Sequence, residues 1–140
     1  MLRLPAPLHD QMVAHCLSGL PDEACGLLAG DGETGVARCY PTRNAAASAR
    51  VYAVDSRDIL KADRDAEAHG DQLVGVFHSH THTDAYPSPT DVSQAPDPSW
   101  HHVLVSLRDT YPVVRSYRIV GEDVTEEPVV VVDGPPAAHG

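Results

Sequence analysis

Apolar residues recur three and four apart near the start of the chain, then give way to short runs and alternations. Leu8, Met12, Val13, Cys16, Leu17 and Leu20 keep the helical spacing, which predicts an amphipathic helix over Pro7 to Leu17 with Pro5 and Pro7 suited to its first turn. ACGLLA, Ala24 to Ala29, is a short apolar run followed by GDGETG. It reads as a strand entering a tight turn, with Val36 to Tyr40 returning as its hairpin partner. Pro41 to Ser48 is predicted as loop and Val51 to Val54 as a further strand. Asp55 is placed to cap a helix from Ser56 to about His69 that Gly70 stops, its modest apolar face made by Ile59, Leu60, Ala62, Ala66 and Ala68. LVGVF, Leu73 to Phe77, is almost continuously apolar, as expected of a central strand covered on both faces. Pro89 to Ala95 is predicted as a short helix, ended by Pro96 and Pro98. Three more strands are expected, over Val103 to Leu107, Val113 to Val120 and Val124 to Val132. Helices mixed with about seven strands make an α/β class with a mixed sheet.

The 140 residues suit one domain, over residues 1–132, with 133–140 expected as a flexible C-terminal tail. The formal charge of −10 argues against nucleic acid and anionic membrane as partners, since both need basic patches. Cys16, Cys25 and Cys39 form no C-x-x-C pair and are odd in number. A disulfide framework is therefore not expected, and a reducing cytoplasm is. The N-terminus has no signal pattern, and no apolar run approaches the ~20 residues that span a bilayer.

The chemistry concentrates in HSHTHTDAYPSPTD, His78 to Asp91. Residues two apart on a strand share a face, so His78 and His80 can aim both imidazoles at one point, the start of a zinc site. His82, Asp84 and Asp91 are candidates for a third ligand. His82 continues the alternation, but Asp84, Tyr86 and Pro87 break the strand there, so Asp91 is favoured. Ser88-Pro89-Thr90-Asp91 is equally a helix start with a serine cap, which explains those residues without a metal. Zinc hydrolysis also needs a base. Glu23 stands just before the apolar run at Ala24, where it would reach the sheet end at which His78 begins if the two strands are neighbours. The residues alone do not choose it over Glu33 or Glu67.

The whole constellation resembles the JAMM, or MPN-plus, metalloprotease family: a glutamate far upstream, His-x-His, seven residues, Ser, two residues, Asp. Glu23, His78-Ser79-His80, Ser88 and Asp91 fall at those spacings. DEACGLLAG is similar to the family's glutamate-bearing strand, and GVFHSH to its ligand-bearing one. The resemblance implies a three-layer α/β/α sandwich with a mixed sheet, of cytidine-deaminase-like type. It implies one zinc on His78, His80 and Asp91, Glu23 as general base, and Ser88 as donor to the oxyanion. AYPSPTDVSQA, VLVSLRD and RSYRIVGEDVTEEPV resemble the actinobacterial branch that releases cysteine from the C-terminal glycine of a ubiquitin-like sulfur carrier protein. Removal of such carriers from lysine, or trimming of a carrier precursor, are the alternatives, and a catalytically dead binding module of the same fold is a third. Metallo-β-lactamases need Asp and His where this chain has His82 and Thr83, and the P-C-x-x-C of cytidine deaminases and HExxH are absent. His82 is expected at the rim of the site. Asn44 resembles a polar position near the family's substrate channel, though such a residue often closes a turn. Cys25 is expected in the core. The carrier's tail is expected to add as a strand to a sheet edge beside the zinc.

Overall fold

The computed structural model describes residues 1–32, 35–46, 53–95 and 97–133. The Val51 and Tyr52 part of one expected strand, Glu33, Pro96 and most of the expected tail lie outside them. The elements are β1 Leu2–Pro5, α1 Ala6–Ser18, β2 Cys25–Gly30, β3 Val36–Thr42, α2 Ser56–Ala68, β4 Gln72–His80, α3 Pro89–Ser93, β5 His101–Ser106, β6 Val113–Val120, β7 Asp123–Glu127 and β8 Val129–Val132.

Six strands form one sheet in the order β3-β2-β4-β5-β6-β7. All neighbours are antiparallel except β4 and β5, which run parallel with α3 in the crossover. β4 thus lies inside the sheet, which is why its sequence is nearly all apolar. Alternate side chains go to opposite faces. Leu28 and Phe77 pack with Leu8, Met12 and Cys16 of α1, whereas Leu27 and Val76 pack with Ala62 of α2. The sheet is therefore the middle of three layers, as expected. Gly26 pairs with Phe77 across the β2–β4 ladder. A Cβ there would stand 2.2 Å from the Phe77 ring, so only glycine lets the two strands keep this register.

The helices form for the reasons their sequences suggest, with different faces. In α1 the buried residues are Leu8, Met12 and Cys16, one every four residues, while Leu17 and Leu20 are about half exposed. In α2 the Asp55 carboxylate accepts the Arg57 N–H, and Gly70 (φ +76°) turns the chain out of the helix. Only Ala62 and Ala66 are buried there. Ile59 and Leu60 stay exposed, because small residues let α2 lie close on the sheet.

Two expectations need correction. The single strand predicted over Val124 to Val132 is two strands. β7 finishes the six-stranded sheet, and β8 leaves it to pair in parallel with β1, Leu2 opposite Val129. Pro128, which has no N–H for a ladder, stands at the break, and its carbonyl accepts the Leu2 N–H at 2.8 Å. β1 itself is unpredicted: four residues run straight into a helix, although Leu2 and Leu4 alternate and are fully buried. Of the strand predicted near Val51, the described part is a single bridge, Asn44 to Val54.

Glu127, the last residue of β7, is buried and ties three strands together. It accepts from Ser116 Oγ at 2.8 Å, and its Oε2 lies 2.7 Å from His101 Nδ1. Burial pushes its carboxyl up, but those partners outweigh burial and hold it at about 2 against an ordinary 4.5. The stabilisation is present above pH 4.5 and is lost as pH falls toward 2. In urea unfolding, the stability gap between wild type and Glu127→Gln is expected to shrink over that window by up to about 3 kcal/mol. A gap that does not change with pH overturns this role.

Candidate metal centre

The site is built at the end of β4. In the β2–β4 ladder Cys25 faces His78, and just beyond it the Ser79 N–H donates to the Ala24 carbonyl at 2.9 Å. Antiparallel pairing therefore carries Glu23, two residues before the start of β2, alongside His80. This adjacency is the condition that the sequence left open. Beyond His80 the chain loops out and returns at Ser88 to start α3. That start is a full capping box: the Asp91 N–H donates to Ser88 Oγ at 3.1 Å, and the Ser88 N–H donates to Asp91 Oδ2 at 2.9 Å. The box holds the carboxylate over the strand end, so the helix cap and the convergence on His80 are one arrangement.

Glu23, His78, His80 and Asp91 are 4%, 1%, 4% and 8% exposed. Four such groups buried together require compensating charge. Asp91 Oδ2 lies 2.9 Å from His80 Nε2 and 3.7 Å from His78 Nε2. Glu23 Oε1 lies 3.5 Å from His78 Nδ1, on the other side of that ring, and accepts no hydrogen bond among the described residues. Ligand atoms of Glu23, His78 and His80 fall within 4.8 Å of one another.

His80 gives the clearest test of fit to a cation. Its Nδ1 lies 2.8 Å from the Asp84 carbonyl and its Nε2 2.9 Å from Asp91. A neutral imidazole carries one N–H and cannot serve two acceptors. Either a second proton or a cation at Nε2 must fill the gap. Burial alone pushes the His80 imidazole down, but its bonds to Asp91 and Asp84 outweigh burial and raise it. Burial likewise pushes the Asp91 carboxyl up, but the bond from His80, the nearby His78 and the Ser88 N–H outweigh it and lower the carboxyl. The donation to Asp84 fixes a proton on Nδ1 and leaves Nε2 as the atom that could meet a cation, the usual way a metal-binding histidine is oriented. Two imidazoles and a carboxylate suit zinc.

The structure therefore brings Glu23, His78, His80, Asp91 and Ser88 together. His82 and Asp84 stay exposed, although the Asp84 carbonyl takes part through its bond to His80. Glu67 lies on α2 near its C-terminal end. Cys25 is buried in β2, as expected of a core residue. Asn44 closes a turn, accepting the Ala46 and Ala53 N–H groups at 3.0 and 2.9 Å, and also donates to the Glu23 carbonyl at 2.8 Å. Ser79 went unremarked in the sequence. It sits between two histidines but faces the other side of the sheet, where its Oγ accepts the Ala24 N–H at 2.9 Å. The alternation of the strand was the only signal that could have placed it there.

Residues 5–120 match the family model described as prokaryotic homologs of the JAB domain. The CysO-cysteine peptidase of Mycobacterium tuberculosis is 48% identical over 135 residues, covering 95% of this chain and 92% of that protein. A desampylase of Haloferax volcanii is 35% identical over 111 residues, covering 75% of this chain and 80% of that protein. The solution structure of protein DSY2949 from Desulfitobacterium hafniense superposes with a TM-score of 0.88 at 36% identity, covering 96% of this chain and 94% of that one. With the match running from α1 to the end of β6, the chain belongs to the prokaryotic homologs of the JAB domain, the JAMM or MPN-plus family.

Proposed function

We propose that this chain is a zinc peptidase that hydrolyses the bond between the C-terminal glycine of a ubiquitin-like sulfur carrier protein and an attached cysteine. The observation that carries the reading is the convergence of Glu23, His78, His80 and Asp91 in one buried spot, in a chain nearly half identical to a CysO-cysteine peptidase.

His78, His80 and Asp91 are the residues that would hold one zinc. When bound, zinc supplies Lewis acidity to the attacking water and to the scissile carbonyl. Glu23 takes the water's proton on its carboxylate and delivers it to the leaving amine. Ser88 Oγ accepts the Asp91 N–H through a lone pair, so its own O–H remains to donate to the developing oxyanion, a contact worth about 3 kcal/mol in the transition state.

The substrate path is read from what surrounds the histidines in the sheet. Among the described residues β4 has β2 and β5 on its two sides, so the histidines do not stand on an open edge of the six-stranded sheet. A cavity of about 310 Å³ lies on the sheet's α2 face instead, lined by Leu27, Val76, Trp100, Ala53 and Val54 among others. Val76 precedes His78 by two residues on the same face. An extended, small-residue tail lying in this groove would arrive at the site.

The desampylase relative favours a second reading, in which the bond cut joins a carrier's glycine to a lysine. Both are tested with the zinc-loaded chain and two substrates: a carrier ending in Gly-Gly-Cys, and a carrier joined to a lysine side chain. The expected result is rapid release of cysteine, abolished by a chelator and restored by zinc, with the lysine conjugate cut more slowly. Zinc-loaded protein that leaves the cysteine adduct intact while cutting the lysine conjugate reverses the two readings.

A further inference from the structure

The peptide unit that joins Glu23 to Ala24 is gripped at both polar ends by side chains. Its carbonyl accepts from Asn44 Nδ2 at 2.8 Å, and its N–H donates to Ser79 Oγ at 2.9 Å. β2 begins only at Cys25, so side chains rather than ladder partners take this unit's own N–H and carbonyl. The orientation of the Asn44 carboxamide is itself determined, because Oδ1 accepts the Ala46 and Ala53 N–H groups while Nδ2 faces the Glu23 carbonyl. Ser79 is fully buried and also donates its own N–H to the Ala24 carbonyl, so it holds Ala24 at two points.

We infer that Asn44 and Ser79 are positioning residues for Glu23: together they clamp the peptide from which the carboxylate projects beside His78. The inference rests on the proposed role of Glu23 as base. A carboxylate at the end of a flexible side chain magnifies small rotations of its backbone. A misplacement of about 1 Å at a reacting group can cost a hundredfold in rate, which is what a second layer of fixed hydrogen bonds prevents. The two grips differ in one respect. Asn44 also closes the neck between Ala46 and Ala53, and Ala53 and Val54 line the apolar groove. Ser79 faces away from that groove, toward α1. Asn44 thus links the groove wall to the base, whereas Ser79 links the base to α1, where its side chain also meets Cys16.

The test uses zinc-loaded Asn44→Ala, Ser79→Ala and the double variant, with cysteine release from a Gly-Gly-Cys carrier as the assay. Ser79→Ala is expected to lower kcat ten- to a hundredfold with KM and zinc affinity within threefold of wild type. Asn44→Ala is expected to lower kcat similarly and to raise KM. Because both side chains grip one peptide unit, the double variant should lose much less than the product of the single losses. Without any turnover, the Ala24 amide should exchange with solvent at least tenfold faster in each variant. Wild-type kcat in both variants, losses that multiply, or unchanged Ala24 exchange each overturn the clamp. If the wild type binds zinc but leaves the carrier adduct intact, the substrate reading fails instead, and Ala24 exchange alone decides the clamp.

Discussion

Glu23→Gln is expected to yield a folded protein that still holds zinc and whose turnover has fallen about a thousandfold or more. The substitution keeps the size and shape of a side chain that is 4% exposed, so packing has little reason to change. It removes one property, the ability to accept a proton. General base catalysis contributes roughly 10² to 10⁴ in rate, and in the proposed reaction the same carboxylate acts again as acid toward the leaving amine. Zinc retention follows from the division of the site. Asp91 Oδ2 and Nε2 of both histidines lie on one side, and Glu23 approaches His78 from its Nδ1 side. Metal analysis and single-turnover cysteine release on the same preparation check both halves. A variant that loses zinc with activity would make Glu23 a ligand, in keeping with the closeness of Glu23, His78 and His80. A variant that keeps both would remove Glu23 from the chemistry.

How far the sequence disclosed this site depends on the range of the interactions that make it. Asp55, Ser88 and Gly70 announced helix ends because capping involves a few adjacent residues. The apolar run over Leu73 to Phe77 announced a buried strand because burial on both faces leaves no alternation. Glu23 could not be chosen over Glu33 or Glu67 from local chemistry, since its place depends on a ladder between segments some fifty residues apart. The motif spacing supplied what local physics could not. β1 and the break at Pro128 were missed for a related reason. The parallel pairing of Leu2 with Val129 joins the two ends of the domain, and no local pattern reports which distant strand a four-residue segment will meet. The exposed Ile59 and Leu60 mark the opposite error. Their spacing put them on the helix's apolar face, yet the close approach made by Ala62 and Ala66 left them outside.

Asp91 is expected to separate its two tasks when changed in two ways. In Asp91→Asn the side chain keeps an oxygen that can accept the Ser88 N–H, so α3 should still start where it does. The metal-free protein should lose no more than about 1 kcal/mol. The charge is gone, however, and a neutral carboxamide is a far poorer zinc ligand. Zinc affinity should drop at least a hundredfold, and activity with it. Asp91→Ala removes both tasks. The Ser88 N–H loses its acceptor, His80 Nε2 loses the partner now 2.9 Å away, and the metal-free protein should lose about 2 kcal/mol or more in addition to its zinc. Urea unfolding of metal-free protein reads the cap, and competition with a chromogenic chelator reads the metal. An Asp91→Asn variant that binds zinc as tightly as wild type would show that the carboxylate serves the helix start alone. Glu23, whose carboxylate lies within 4.8 Å of both histidines, would then be the candidate third ligand among the described residues.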